Sequence, residues 1–313
     1  MSSTRILLIG SEGQLGSELS AALIAKHGKE NVICSDLRNP RPELDRRFMV
    51  LDALDKAGIE AVIRDEQISQ VYLLAAVLSA TGEKNPAFAW KLNMESLLSV
   101  LDLGVKYKLD RVFWPSSIAA FGPNTPKSNT PQSSYMDPNT VYGISKLSGE
   151  LWCQYYFQRY GLDVRSIRYP GIISWKTPPG GGTTDYAVEI FHDALQKGSY
   201  NCFLKADTAL PMMFVDDAIR ATVELMEAPK EHIKTRTSYN LAAVSFTPAE
   251  LAAAIRLHMP SFNMHYAPDF RQQIADSWPA SIDDSAARTE WGWNHHFDTA
   301  GIVKEMLENL KDA

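Results

Sequence analysis

Tyr142 and Lys146 stand four residues apart in Tyr142-Gly143-Ile144-Ser145-Lys146, and on a helix that spacing puts both side chains on one face. A free tyrosine titrates near about 10, too high for a base at neutral pH. A neighbouring ammonium favours the phenolate and lowers that value. The pair therefore reads as a proton-transfer unit. Ser117 lies upstream, just past the apolar run Arg111-Val112-Phe113-Trp114, and its hydroxyl can bond a substrate oxygen and steady it for hydride loss. Alone, Tyr-x-x-x-Lys is common by chance and more often a surface helix pair. Its weight comes from its neighbours.

The first neighbour is Gly10-Ser11-Glu12-Gly13-Gln14-Leu15-Gly16, a G-x-x-G-x-x-G pattern directly after Ile6-Leu7-Leu8-Ile9. Glycines there allow a tight turn and let a pyrophosphate approach the backbone amides at a helix N-terminus. Asp36 closes the next apolar run, Val32-Ile33-Cys34, where a carboxylate accepts hydrogen bonds from ribose hydroxyls and repels a 2′-phosphate. The expected cofactor is therefore NAD rather than NADP, although Arg38 nearby offers such a phosphate a partner. Lys146 can also bond the nicotinamide ribose. Asp52, after Phe48-Met49-Val50-Leu51, can contact the adenine edge or cap the following helix.

These residues need a scaffold. Short apolar runs at 6–9, 32–34, 48–51, 71–74 and 111–114 alternate with helical patterns at 14–27, 55–64 and 90–107. Continuous apolar strands between helices mean a parallel sheet covered on both faces. Ligands bind at the carboxyl ends of such strands, where Gly10, Asp36 and Ser117 fall. Asp163–Tyr169 reads as one further strand. Helices are expected at 185–197, 216–227, 248–258 and 299–310, the third opened by a capping box of Thr247 and Glu250. The fold class is α/β: a Rossmann doubly wound parallel sheet with a smaller, mostly C-terminal α/β substrate-binding lobe. Residues 1–170 form the NAD-binding domain, with 215–243 returning to it. Residues 171–214 and 244–313 form the interleaved lobe.

Thirty-one Lys and Arg against 37 Asp and Glu leave a net charge of −6 on 313 residues, with 45% hydrophobic residues. That balance suits a globular enzyme and disfavours a nucleic-acid binder. The 3 cysteines, Cys34, Cys153 and Cys202, are odd in number and far apart, which fits a reducing compartment. No apolar stretch reaches the roughly 20 residues a membrane span needs. The expected location is the cytoplasm. Neighbouring His295 and His296 point apart, and no His-Glu-x-x-His or Cys cluster is present, so no metal is expected.

Taken together, the glycine turn, Leu74-Ala75-Ala76, Asn93, Pro115-Ser116-Ser117, Tyr142/Lys146 and Tyr169-Pro170-Gly171 resemble the extended short-chain dehydrogenase/reductase superfamily, most members of which act on nucleotide sugars. Ser174-Trp175, Pro179 to Ala187, Leu210-Pro211-Met212-Met213, Tyr239 to Ala242 and Ala275-Asp276-Ser277-Trp278-Pro279 resemble its L-threonine 3-dehydrogenase family almost end to end. The resemblance implies oxidation of the threonine hydroxyl by NAD to 2-amino-3-ketobutyrate, the first step of breakdown to glycine and acetyl-CoA. Members carry Ser or Thr at the position of Ser117, and either supplies the hydroxyl. Expected catalytic residues are Tyr142, Lys146 and Ser117. Cofactor contacts are expected at Gly10, Gly13, Gln14, Leu15, Gly16, Asp36, Leu37, Asp52, Ala53, Leu74, Ala75, Ala76, Asn93, Ser116, Tyr142, Lys146, Tyr169 and Ile172. Substrate contacts are expected at Ser79, Ser117, Tyr142, Gly182, Thr183, Thr184 and Trp278.

Two other readings compete. A nucleotide-sugar epimerase or dehydratase shares the N-terminal motifs but needs a longer, more basic groove. A non-catalytic dinucleotide sensor has no use for Tyr142, Lys146 and Ser117 together. The Gly180–Gly182 run beside Pro178 and Pro179 is either a closing lid or a plain surface loop. A homodimer is expected through the helices at 90–107 and 139–160, where related enzymes pair. Leu147, Leu151 and Tyr155 make an apolar stripe that serves such a seam or faces the sheet.

Overall fold

The computed structural model describes residues 4–40, 45–176 and 180–311. The chain runs β1 (Ile6–Ile9), α1 (Gln14–His27), β2 (Val32–Asp36), β3 (Arg47–Val50), α2 (Lys56–Asp65), β4 (Gln70–Leu73), α3 (Ser79–Gly82), α4 (Pro86–Tyr107), β5 (Arg111–Phe113) and β6 (Ser116–Ser117). It continues with α5 (Val141–Tyr160), β7 (Val164–Arg165), β8 (Ile167–Tyr169), β9 (Gly171–Ile173), α6 (Tyr186–Lys197), β10 (Ser199–Cys202), β11 (Leu210–Phe214) and α7 (Val215–Glu227). Then come β12 (Tyr239–Asn240), β13 (Val244–Phe246), α8 (Pro248–Arg256), β14 (Asn263–Tyr266), α9 (Arg271–Asp276), α10 (Ser285–Trp291) and α11 (Thr299–Lys311). Among the described residues, no helix is long and apolar enough to cross a membrane.

The main sheet has six strands in the order β3-β2-β1-β4-β5-β7, all parallel. Alternation along each strand feeds two cores. Leu7, Ile9, Ile33, Val71 and Val112 pack with Ile59 and Ile63 of α2, Leu97 and Leu101 of α4, and Cys153 of α5. Ile6, Leu8, Val32, Tyr72 and Phe113 pack with Leu19 and Leu23 of α1 and Ala218, Ala221 and Leu225 of α7. Both faces are covered, which is why the strands are apolar throughout. The strand order reverses between β1 and β4, the switch point at which this architecture opens a crevice.

The stretch 163–169 is two strands rather than one. The Ser166 carbonyl accepts from the Tyr239 amide at 3.0 Å, and the Ser166 hydroxyl accepts from that of Ser238 at 2.5 Å. That long-range pairing draws the chain out of the main sheet. β8 joins β12 and β6 in a separate sheet, all parallel. Further sheets join β13, β11 and β9, and β10 with β14. A third core gathers Ile190 and Phe191 of α6, Leu251 and Ile255 of α8, Ile302 and Met306 of α11, and Trp278. The capping box of Thr247 and Glu250 opens α8 as expected.

Candidate active site

Gly10 turns the chain out of β1 with φ +91°, and a Cβ there would lie 2.6 Å from the Ala75 nitrogen. A Cβ on Gly16 would lie 2.2 Å from the Gly10 carbonyl oxygen, against backbone that cannot give way. Only glycine permits this fold-back. Gly13 is the N-cap of α1 and offers no side chain, so the first-turn amides keep their capacity for an anion. Gln14 reaches across to donate to the Ile172 carbonyl at 3.4 Å.

Glu12 folds inward and pairs with buried Arg46 beneath the turn. Its amide donates to Asp36 Oδ2 at 2.9 Å, while Arg38 donates to Asp36 Oδ1 through its amide at 3.0 Å and its Nε at 3.2 Å. Burial works to raise the Asp36 carboxyl, but these hydrogen bonds outweigh it and hold the group below its ordinary value.

Thr140 caps α5 by accepting from the Gly143 amide. The helix presents Tyr142 and Lys146 inward beside the short strand carrying Ser117. The Ser117 hydroxyl accepts from the Ala119 amide at 3.2 Å and stands close enough to the Tyr142 phenol to ease its ionisation. The Lys146 ammonium donates to the Pro115 carbonyl at 2.6 Å and lies 5.4 Å from the Tyr142 ring centroid. The expectation that Lys146 draws the tyrosine down is corrected. Burial pushes the Tyr142 phenol up to about 12, and the nearby Ser117 hydroxyl opposes it. Burial pulls the Lys146 ammonium from 10.5 down to about 7. The reason is direction: the ammonium spends its hydrogen bond on a carbonyl rather than on the phenol oxygen.

A cleft of about 660 Å³ gathers most of the expected residues. Gly10, Gly13, Gln14, Leu15, Gly16, Leu74 and Ala76 line one end. Ser116, Ser117, Tyr142, Lys146, Tyr169 and Ile172 line the middle, with Ser79, Gly182, Thr183, Thr184 and Trp278 beyond. Ser79 and Thr183 share a hydrogen bond of 3.2 Å, and Thr81 donates to the Gly181 carbonyl at 3.5 Å. Asp185 accepts from the Gly181 and Gly182 amides, both at 2.8 Å. The 180–183 segment is thus tied to α3. Pro178 and Pro179 lie outside the described residues.

Six expected cofactor residues do not line the cleft: Asp36, Leu37, Asp52, Ala53, Ala75 and Asn93. Asp36 stands behind the glycine turn, and Leu37 is exposed. Asp52 accepts from the Leu54 amide at 2.9 Å, while Asp55 rather than Asp52 caps α2. Ala53 is core, and Ala75 bonds the end of β1. Asn93 spends its amide on Val77 and on Ser145 at 3.1 Å, fixing the loop after β4 against α5. Glu12, Val77, Leu78, Thr81, Ile118, Pro170 and Asp185 line the cleft unforeseen. The apolar ones look in sequence like core, and only the pairing of β4 shows that the chain has already left the sheet. Among the described residues, no three His, Cys, Asp or Glu side chains are grouped as a metal would require.

The residues fit a dinucleotide: uncapped amides at one end of a continuous cleft, with a hydroxyl pair and a buried cation further along it. A family model, the NAD dependent epimerase/dehydratase family, matches residues 6–242. An uncharacterized epimerase/dehydratase of Staphylococcus haemolyticus is 45% identical, over 98% of each chain. The mitochondrial L-threonine 3-dehydrogenase of Bos taurus is 48% identical, over 97% of this chain and 82% of its own. The holo form of a GalE-like L-threonine dehydrogenase from Cupriavidus necator superposes with a TM-score of 0.96 at 56% identity, over 98% of this chain and 99% of that one. The chain belongs to the NAD dependent epimerase/dehydratase family, in the branch that holds the L-threonine 3-dehydrogenases.

Proposed function

We propose that this protein oxidises the side-chain hydroxyl of L-threonine to 2-amino-3-ketobutyrate with NAD as hydride acceptor, opening the breakdown of threonine to glycine and acetyl-CoA. One observation carries the reading: Ser117, Tyr142 and Lys146 line the same cleft that the glycine turn opens and that Thr183, Thr184 and Trp278 close. Relatives at 48% and 56% identity with that activity in their names support it.

NAD supplies the electron-accepting nicotinamide when bound. Ser117 holds the threonine oxygen, and Tyr142, the base, takes the proton of that hydroxyl. Lys146 sets a positive charge beside the phenolate as it forms and reaches the ribose side of the cleft. Thr183, Thr184, Ser79 and Trp278 enclose the amino acid and exclude water. Asp36, fixed by Glu12 and Arg38, meets the adenosine ribose and repels a 2′-phosphate. Asn93 acts from behind the wall, and Ser116 lines it beside Ser117.

Residues 1–170 and 215–243 form the NAD-binding part of this scheme, and 171–214 with 244–313 form the substrate lobe. The exposed apolar residues of α4 and α5 support its pairing as a homodimer. Free, buried Cys34, Cys153 and Cys202 fit the reducing cytoplasm.

The test is NADH formation with L-threonine, L-allo-threonine and L-serine, beside UDP-sugars with NAD. L-threonine turnover is expected, with Tyr142→Phe binding NAD but losing roughly 10²- to 10⁴-fold in rate. Epimerised sugar without threonine oxidation would overturn the reading.

A further inference from the structure

The inner face of α5 is polar. Tyr142, Lys146 and Glu150 follow at four-residue spacing and are only 9%, 2% and 1% exposed. Glu150 takes no part in the proposed proton transfer, and a carboxylate this deep is costly unless paired and hydrogen-bonded.

Its partners are specific. Oε1 accepts from the Ser116 hydroxyl at 2.6 Å and from Arg168 Nε at 2.8 Å, and Oε2 accepts from the other arm of Arg168 at 2.6 Å. Ser116 and Arg168 are also Cα partners in the β6–β8 ladder. One carboxylate thus reaches from the helix and clamps both residues of a single rung. The strand it clamps is two residues long, and the second is Ser117. Arg168 further donates to the Gln132 carbonyl at 2.9 Å and to Asn240 Oδ1 at 3.0 Å, which anchors the clamp to β12. An ion pair serving only to hold β8 against α5 needs no hydroxyl from β6.

We propose that Glu150 is a positioning residue of the hydride-transfer site: with Arg168 it fixes the Ser116 rung on α5, so that the Ser117 hydroxyl faces Tyr142. The inference rests on the function proposed above. Glu150 also places a negative charge one helical turn from Lys146, where it favours the ammonium against burial. The titratable and charged groups around Lys146 are Tyr142, Glu150 and Cys153 on α5 and Arg168 on β8. Trp114 to Ser117 and the buried α4 residues Asn93, Ser96 and Leu97 carry no charge.

Two variants test it. Ser116→Ala removes one hydrogen bond and no charge, and Glu150→Gln keeps the shape and removes the charge. Ser116→Ala is expected to lower kcat roughly tenfold, with KM for threonine and Kd for NAD within roughly twofold, since misplacement of a reacting group costs up to about 10²-fold. Glu150→Gln is expected to lower kcat further and to shift the acid limb of the kcat/KM profile to lower pH. Arg168 is then uncompensated, and Lys146 and Tyr142 lose protons more readily. Glu150→Gln combined with Arg168→Gln returns the limb towards wild type while kcat stays low.

Wild-type kcat and an unmoved limb in folded, NAD-binding Glu150→Gln would overturn the proposal. If that variant does not fold, wild-type kcat in Ser116→Ala overturns it alone. Absence of threonine oxidation by the wild type instead sinks the functional reading. The proton shift is then read without substrate, as the phenolate absorbance difference between each protein and its Tyr142→Phe counterpart, and an unchanged Tyr142 titration in Glu150→Gln again overturns the role.

Discussion

The Lys146 ammonium lies 4.4 Å from the centroid of the Trp114 ring and gives its hydrogen bond to a carbonyl, that of Pro115. A π face and a carbonyl hold a cation in place but do not neutralise it. Burial therefore dominates and brings the ammonium down from 10.5 to about 7. The consequence for stability has a sign. Below about pH 7 both folded and unfolded chains carry the proton, and the folded state bears the whole penalty. Between about 7 and 10.5 the unfolded chain binds more protons, so stability rises with pH, and above 10.5 the penalty is gone. Against Lys146→Met, wild-type Tm is expected to gain steadily from about pH 7 to about pH 10. A Tm difference constant over that window would contradict the assignment.

Gly149 is what lets Trp114 reach that position. A Cβ on Gly149 would lie 2.3 Å from Trp114 Cη2 and 2.6 Å from Cζ2, and a buried indole has no free end to swing aside. Gly149→Ala is expected to cost about 1–3 kcal/mol, as overpacking does, despite the better helix propensity of Ala. Urea midpoints read the cost. The same change displaces the ring beneath Lys146, so kcat falls with stability. An alanine variant as stable as wild type would show that α5 stands off the sheet.

Much of this was legible in the sequence because it is local. An apolar tetrapeptide, a glycine turn and a helix form one contiguous unit, and Tyr142 and Lys146 are one helical turn apart. Long-range pairings were not legible. Ser166 ends a strand only because Ser238 and Tyr239 arrive beside it. Glu150 was missed for a related reason. Leu147, Leu151 and Tyr155 read as a subunit seam or as a face against the sheet; Leu151 and Tyr155 are exposed, so they do not face the sheet, and the polar stripe of Tyr142, Lys146 and Glu150 is buried instead. Both stripes have the same period, and hydrophobicity alone does not tell which faces inward when the inner face meets an active site.

The glycine turn makes a separate prediction. Gly16→Ala places a methyl against the Gly10 carbonyl oxygen, and relief requires the turn itself to move. Local backbone strain of this kind costs roughly 1–3 kcal/mol. Spent against cofactor binding, that weakens NAD by roughly 5- to 150-fold. Titration calorimetry with NAD measures it, and Gly13→Ala is the internal comparison. The nearest atom to a Cβ on Gly13 is 3.5 Å away, an ordinary contact, so within the protein that change is tolerated. Equal loss in both variants would mean that contact with the dinucleotide, rather than the fold-back, governs the turn.

The exposed stripe of α5 has its own consequence. Leu151 is 55% exposed, Tyr155 46% and Trp152 39%, and Trp152 stacks edge-on against Tyr155 with centroids 5.7 Å apart. Apolar side chains clustered on one helix face are unusual on a monomer surface and common in a self-complementary interface. Phe88 and Trp90 add exposed aromatic surface on α4, the helix packed along α5. The double variant Leu151→Lys with Tyr155→Lys introduces two charges where the second copy is expected. These side chains contribute little to the monomer core, so Tm of the variant at high dilution stays near wild type. Sedimentation is expected to show a dimer for the wild type and a monomer for the variant. A wild type that sediments as a monomer, or a variant that still pairs, would place the subunit contact elsewhere or remove it.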